Sequence, residues 1–370
     1  MHDVIVIGGG VLGAATAWHL ALARARVLLL DRGDEGRATA AGAGIVSPAT
    51  YRGDSDVWYR FSRAAYRHLS TLVPRLETEG IGTGFSRCGL LLVAVSEDEF
   101  GPFEAASQRI LSRPGEGSPV RPLDIAEARE MFPPLAESAR ALHNPDAARI
   151  DGRLLAQALL EAGERRGLER RTASADSLIL EGSRATGVLT GGDRMSAGSV
   201  VIAGGAWSRR FSDQLGLDIP VAPQRGQIIH LDLGGADTSS WPIVSAFRDH
   251  YMVPWPDSRV AAGATRETGS GFEPKATAAG MVEVLSEALR VAPGLAGASI
   301  RETRVGLRPL SADGLPVMGA VPGWEGLYLN TGHGASGLQL GPFSGRLVAD
   351  AALGGKPGFD LSSFAVERFL

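Results

Sequence analysis

Cysteine is almost missing from the chain. Cys88 is the single thiol, which excludes a disulfide framework and a cysteine-built metal site, and no metal is expected. Within Phe85-Ser86-Arg87-Cys88-Gly89-Leu90-Leu91 it reads as a small buried apolar residue. Lysine is nearly as scarce. Only Lys275 and Lys356 stand among 37 basic residues, so there is almost no candidate for a Schiff-base amine. No run reaches the ~18 apolar residues that a membrane span needs. The first strand begins at residue 3 or 4, too early for a secretory leader. A cytoplasmic protein is expected, and peripheral docking on a membrane would leave no mark here. A net charge of −4 and a pI of about 6.0 argue against nucleic acid or an acidic membrane surface as the main partner. There is no internal repeat.

What is present is a chain of 370 residues, longer than one ordinary core, so two domains are expected; 44% hydrophobic content is enough to bury them. The organising stretch is Asp3 to Arg32. Val4-Ile5-Val6-Ile7 is a β-branched run feeding Gly8-Gly9-Gly10-Val11-Leu12-Gly13; Ala14 to Arg24 reads as a helix, and Arg26 to Leu30 as a strand ending on Asp31. Strand, glycine turn, helix, strand and acid in that order make a dinucleotide-binding unit. Gly8 suits the tight turn, Gly10 the approach of a pyrophosphate, and Gly13 the close packing of helix on strand. The helix N-terminus offers N–H groups to phosphate, and Asp31 can accept from ribose hydroxyls.

Gly33 to Pro48 is dense in small residues, as a chain passing close to something large would be. Helical spacing follows over Trp58–Glu79, a buried strand over Gly89–Val95, a helix over Glu97–Leu111, a Pro/Gly/Ser-rich loop over Leu111–Pro122 and a short helix over Ile125–Met131. Arg153–Arg166 reads as a helix, with strands near Leu178, over Gly187–Leu189 and over Ser199–Ala203, the last ending at Gly204-Gly205. Gln227–Leu233 alternates as a half-exposed strand, Tyr251–Pro254 and Arg259–Ala264 as two more, and Ala276–Val291 as a helix. Val305–Pro309 reads as a strand end, and Leu327–Thr331 as a strand before a second glycine loop, Gly332–Gly337, and a helix from about Leu338 to Leu353. The expected architecture is α/β: a Rossmann-like, glutathione-reductase-type domain (1–80, 143–222, 304–370) and an antiparallel-sheet α+β domain (81–142, 223–303).

These pieces, with Pro223-Gln224-Arg225-Gly226-Gln227, Gly263-Ala264-Thr265 and Gly306-Leu307-Arg308-Pro309 followed by Asp313–Gly319, resemble the D-amino-acid oxidase and glycine/sarcosine oxidase family of FAD enzymes over essentially the whole chain. The likeness is greatest to its bacterial glycine oxidase-like and D-amino-acid dehydrogenase-like branches. The resemblance implies FAD contacts from Gly8, Gly10, Val11, Leu12, Gly13, Asp31 and Arg32. It adds Ala38 and Thr39 near the phosphates, Ala43, Gly44 and Ile45 beside the flavin, Ala175 at the adenine, and Gly204 and Gly205 along the nucleotide. His333, Gly334, Ala335, Ser336, Gly337, Leu338 and Gln339 would wrap the pyrimidine edge. Arg308 aligns with the arginine that grips the substrate carboxylate, and Tyr251 with a supporting hydroxyl. The alternatives are an ion pair of Arg308 with Asp313 or Glu302, and Tyr251 as an ordinary core aromatic. Arg266 could face the substrate side chain or solvent. With no cysteine in the C-terminal third the FAD should be non-covalent, Ala335 replaces a second arginine found in one branch, and the lysine tied to oxygen reactivity in sarcosine oxidases has no counterpart.

The implied reaction is hydride transfer from Cα to flavin N5 of a small D-amino acid or glycine-like substrate. The imino acid would hydrolyse to a 2-oxo acid and ammonia, and oxygen or a quinone-type acceptor would reoxidise the flavin. An N-methyl or cyclic amino acid is the rival within the family. A nicotinamide-dependent dehydrogenase and a flavin-binding subunit without turnover are the rivals outside it. Self-association into a homo-oligomer is left open.

Overall fold

A computed structural model describes residues 1–113, 117–137 and 139–370. Its first sheet has eight strands. Glu169–Thr172, Val27–Asp31, His2–Ile7, Asp193–Ile202 and Leu327–Thr331 lie side by side and parallel. Two hairpin strands, Ser177–Glu181 and Arg184–Thr190, extend it antiparallel beyond Asp193–Ile202. Both faces are covered, as parallel sheets require. Val4, Val6, Val27 and Leu29 point into the core on the helical side. Ile5, Ile7, Leu28 and Leu30 point into a second core with Val188, Phe211 and Ile219. The continuous apolar runs read in the sequence are therefore strands buried on both sides, with a period of two.

Helix Val11–Leu22 crosses the C-terminal helix Gly337–Ala352 on the helical side. A Cβ at Gly345 would meet Ala15 Cβ at 2.6 Å and Thr16 N at 2.7 Å. Helix Asp56–Thr78 packs beside them, its N-cap Ser55 accepting from Trp58 N at 3.2 Å.

The second sheet has nine strands, mostly antiparallel, with one parallel pair between Leu90–Ala94 and Ile243–Ala246. Its spine is Val221–Asp232 paired with Ser299–Ser311. These strands are longer than the sequence suggested, and Val221–Asp232 is not half-exposed. Its polar residues are buried and satisfied: Gln227 Nε2 donates to Glu267 Oε1 at 2.7 Å and to Thr277 Oγ1 at 2.9 Å, while its Oε1 accepts from Thr277 N at 2.9 Å. Helix Ala278–Val291 covers that face with Val284, Ala288 and Val291. Phe103 and Ile110 of helix Glu97–Ser112 cover the other.

Several short elements went unread, among them Glu169–Thr172, Ile243–Ala246 and Val317–Ala320. So did a small sheet of Ile45–Val46, Ala148–Arg149 and Ser86–Arg87. Of the loop read over Leu111–Pro122, residues 114–116 lie outside the described residues, and its end forms the strand Arg121–Leu123.

Candidate active site

The N-terminal turn is built without room for side chains. Gly8 has φ 108° and donates its N–H to Leu30 O at 2.7 Å. A Cβ there would lie 2.5 Å from Ala203 O, and one at Gly13 would run into Gly8 O. The turn thus delivers helix Val11–Leu22 with its N-terminus facing a cleft. A Cβ at Gly9 would lie 2.5 Å from Asp31 Oδ2, so the acid at the end of Val27–Asp31 sits directly against the turn. Arg37 Nη1 donates to that same Oδ2 at 3.0 Å. Thr39 Oγ1 accepts from Val11 N at 3.0 Å, which ties the small-residue segment to the start of the helix.

One continuous cleft runs from this turn to the second sheet. All the residues read from the sequence line it except Gly13, Ser336 and Gln339. Gly13 lies beneath the turn. Gln339 Oε1 accepts from Ser47 N at 2.9 Å, tying the small-residue segment to the C-terminal helix, and its Nε2 is buried without a partner. Gly44, at φ 78°, leaves no space between itself and Ile150 O, and this presses the 43–45 segment onto Ile150.

Arg308 and Tyr251 meet at the far end. Arg308 lies on Ser299–Ser311 opposite Gln224, and its Nη1 donates to Thr265 O at 2.9 Å. Its guanidinium lies flat over Gly226, where a Cβ would be 2.5 Å from Cζ and from Nη1. Burial pushes Arg308 below its ordinary value, with the Tyr251 hydroxyl beside it acting the other way. Burial pushes the Tyr251 phenol up, and Arg308 opposes that rise. The two acids read as alternative partners of Arg308 are engaged elsewhere: Asp313 accepts from Arg368 Nε at 2.7 Å and Glu302 from Arg304 Nε at 3.0 Å. Arg266 lines the same end, its Nε 3.1 Å from Asp249 Oδ2.

A family model for FAD-dependent oxidoreductases matches residues 3–351. The chain belongs to that family. The oxidoreductase YurR of Bacillus subtilis is 39% identical, with 98% of each chain covered. Glycine oxidase of Pseudomonas putida is 31% identical, covering 99% of this chain and 98% of that one. Among solved structures, iminodiacetate oxidase from Chelativorans sp. BNC1 matches with a TM-score of 0.94 at 41% identity over 98% of both chains. Glycine oxidase from Geobacillus kaustophilus matches at 0.90 and 30%, covering 100% and 99%.

As an FAD-dependent oxidoreductase, the enzyme needs a long groove that accepts a dinucleotide along main chain, and the cleft has that character. Its walls are glycine-rich turns, of which Gly8, Gly9 and Gly44 leave no space for a Cβ, with a helix N-terminus and a ribose-competent acid at one end. The nicotinamide alternative is set aside by this membership. Among the described residues no helix is long and apolar enough to cross a membrane, and no group of three or more His, Cys, Asp or Glu could hold a metal.

His333 is placed by its imidazole rather than offering it. Nδ1 is 2.8 Å from Thr331 O and Nε2 is 2.7 Å from Ser344 Oγ. A carbonyl can only accept, so the neutral ring carries its proton on Nδ1, and Nε2 is an acceptor facing a serine hydroxyl that also lies 3.1 Å from Leu340 O. Burial drives its pKa down to about 4. Sequence reasoning missed Arg37, Gly226 and Asp249. The first two stood inside motifs already singled out, and Asp249 carried no signal.

Proposed function

We propose that the enzyme oxidises the C–N bond next to the carboxylate of a small D-amino acid or glycine-like substrate. The observation carrying this is the half-buried Arg308 guanidinium, over Gly226, beside the Tyr251 hydroxyl and with Asp313 and Glu302 paired elsewhere. Such a group favours a substrate carboxylate, which its fork can hold with two parallel hydrogen bonds.

Gly8, Gly10, Leu12, Asp31, Arg32, Ala38 and Thr39 would hold the nucleotide half of FAD, with Ala175, Gly204 and Gly205 along it. Ala43–Ile45 and the His333–Gln339 segment would hold the flavin. Cys88 packs against the core near Leu90 and Leu92 and does not line the cleft, in keeping with non-covalent FAD. Segments 1–80, 143–222 and 304–370 would form the cofactor domain, and 81–142 and 223–303 the substrate domain.

Bound FAD supplies the acceptor for the hydride leaving Cα. Arg308 and Tyr251 fix the carboxylate and so the direction in which Cα–H points. Catalysis by this chain is then mainly positioning, with the neutral amine providing the electronic push. His333 keeps its single proton on Nδ1, donated to Thr331 O, and takes no part in proton transfer. The imino acid is released to hydrolysis by water, giving a 2-oxo acid and ammonia. Similarity to iminodiacetate oxidase favours a secondary amine as the second reading. Anaerobic mixing with glycine, sarcosine, iminodiacetate, proline and D-amino acids tests both: one of them should bleach the flavin, and a yellow protein bleached by none would overturn the assignment.

A further inference from the structure

We propose that Arg266 receives a second carboxylate, so that the preferred substrate is a small amine carrying two carboxylates, and that Asp249 is the positioning residue that aims Arg266. This rests on the reading of Arg308 as the receptor for the first carboxylate. Three observations converge on it.

The two arginines share one end of the cleft and are mechanically linked. Arg308 Nη1 is anchored on Thr265 O, the carbonyl immediately before Arg266. A small substrate gripped by Arg308 would therefore share that end of the cleft with a second cation. Next, the Asp249 contact uses Arg266 Nε, at one corner of the fork. A carboxylate takes two parallel N–H bonds from the edge formed by the terminal nitrogens, so the acid and a ligand can occupy the guanidinium together.

The third observation concerns the backbone that carries Asp249. It sits in the turn between Ile243–Ala246 and Tyr251–Trp255, closed by Ala246 N donating to His250 O at 2.8 Å. Arg248 and Asp249 have φ values of 60° and 61°. A turn needed only to reverse the chain would carry Asn-Gly there. Here side chains hold the left-handed backbone in place. Arg248 lies 2.9 Å from Asp98, 3.3 Å from Glu287 and 3.5 Å from the buried Glu99, which Arg290 also meets at 2.8 Å. Unfavourable backbone kept in place beside a cleft is a mark of a functional position.

The test uses two non-oxidisable ethers that differ by one carboxylate, oxydiacetate and methoxyacetate, titrated into the oxidised holoenzyme while the flavin spectrum is followed. Oxydiacetate should bind about 10-fold more tightly than methoxyacetate, as one partly exposed charge-assisted pair allows, and Arg266→Gln should cut that ratio to about 2 or less. Asp249→Asn should lower the ratio part of the way, and in iminodiacetate turnover should raise KM while leaving kcat within about twofold. Arg266 is exposed, so flavin content serves to show that the variant is folded. Equal affinities in the parent, or a ratio that survives Arg266→Gln, would overturn the proposal. If Arg308→Ala abolishes binding of both ethers while their affinities are equal, the first carboxylate site stands and the second is withdrawn. If Arg308→Ala changes neither, the underlying reading falls with it.

Discussion

Gly226→Ala probes the substrate end of the cleft without touching a functional group. An alanine Cβ would stand 2.5 Å from Cζ and Nη1 of Arg308, whereas ordinary contact begins near 3.4 Å. Strand Val221–Asp232 is locked at this position against Gly306 of Ser299–Ser311 and cannot retreat cheaply. The guanidinium must therefore move by about 0.9 Å, and Nη1 must tilt away from Thr265 O. A displacement near 1 Å of a positioning group costs on the order of 10²-fold in rate. Gly226 lies outside the left-handed region, so alanine adds no backbone strain and the protein should fold and bind FAD. The assay is anaerobic flavin bleaching by the best substrate of the panel, read as kcat/KM, with flavin per chain and Tm as controls. A variant with parental flavin content and bleaching within twofold of the parent would refute the placement of Arg308 over Gly226 or its hold on the carboxylate.

Tyr251→Phe keeps the ring and removes the hydroxyl beside Arg308; kcat/KM should drop roughly 10-fold, mostly through KM, and unchanged kinetics would show that the hydroxyl does not meet substrate. Gly13→Ala drives a Cβ into the Gly8 carbonyl, so helix Val11–Leu22 must lift off the first strand; the purified protein should be largely colourless, and full flavin content would count against the tight turn. For His333 the folded pKa of about 4 lies below the ordinary 6.5, so between these values the unfolded chain binds the extra proton. Its contribution to stability is complete above about pH 6.5 and is lost as pH falls toward 4, by up to about 3 kcal/mol. His68 and His230, also near 4, act in the same direction. Urea unfolding at pH 7 and pH 4.5 should therefore show a smaller loss for His333→Gln than for the parent, and equal losses would dismiss this role.

The N-terminal unit was readable because its physics is local. Val4–Ile7 and Val27–Leu30 are buried on both faces, so apolar runs and glycine punctuation carry the whole pattern. Glu169–Thr172 was unreadable for the opposite reason: Glu-Arg-Arg-Thr has no apolar period, and only pairing with Leu28–Asp31 makes it a strand. The strand read over Gln227–Leu233 looked half-exposed, but the polar residues of Val221–Asp232 at 225, 227 and 230 are buried. Their partners come from distant segments, as with Arg225 Nε donating to Glu267 Oε2 at 2.9 Å, and no window along the chain shows both. Asp249 is hidden more completely, because a left-handed turn written Arg-Asp, with no glycine beside the aspartate, gives only a weak turn signal.

The strand Ser299–Ser311 ties the two ends of the cleft together. Leu307 N donates to Gly36 O at 2.8 Å, beside Arg37, whose guanidinium in turn engages Asp31. The next residue is Arg308, over Gly226. Side chains alternate along a strand, so Leu307, fully buried in the wall of the cleft, and half-buried Arg308 point to opposite faces. Register here fixes two things at once: where the segment around Gly36 lies and which residue stands over Gly226. A single residue inserted between Arg301 and Val305 would carry Arg308 to the buried face. The guanidinium would then have no carboxylate to meet and no water to reach. The same slip would detach Leu307 from Gly36, so cofactor affinity and substrate affinity should fail together in such a variant, whereas Gly226→Ala separates them.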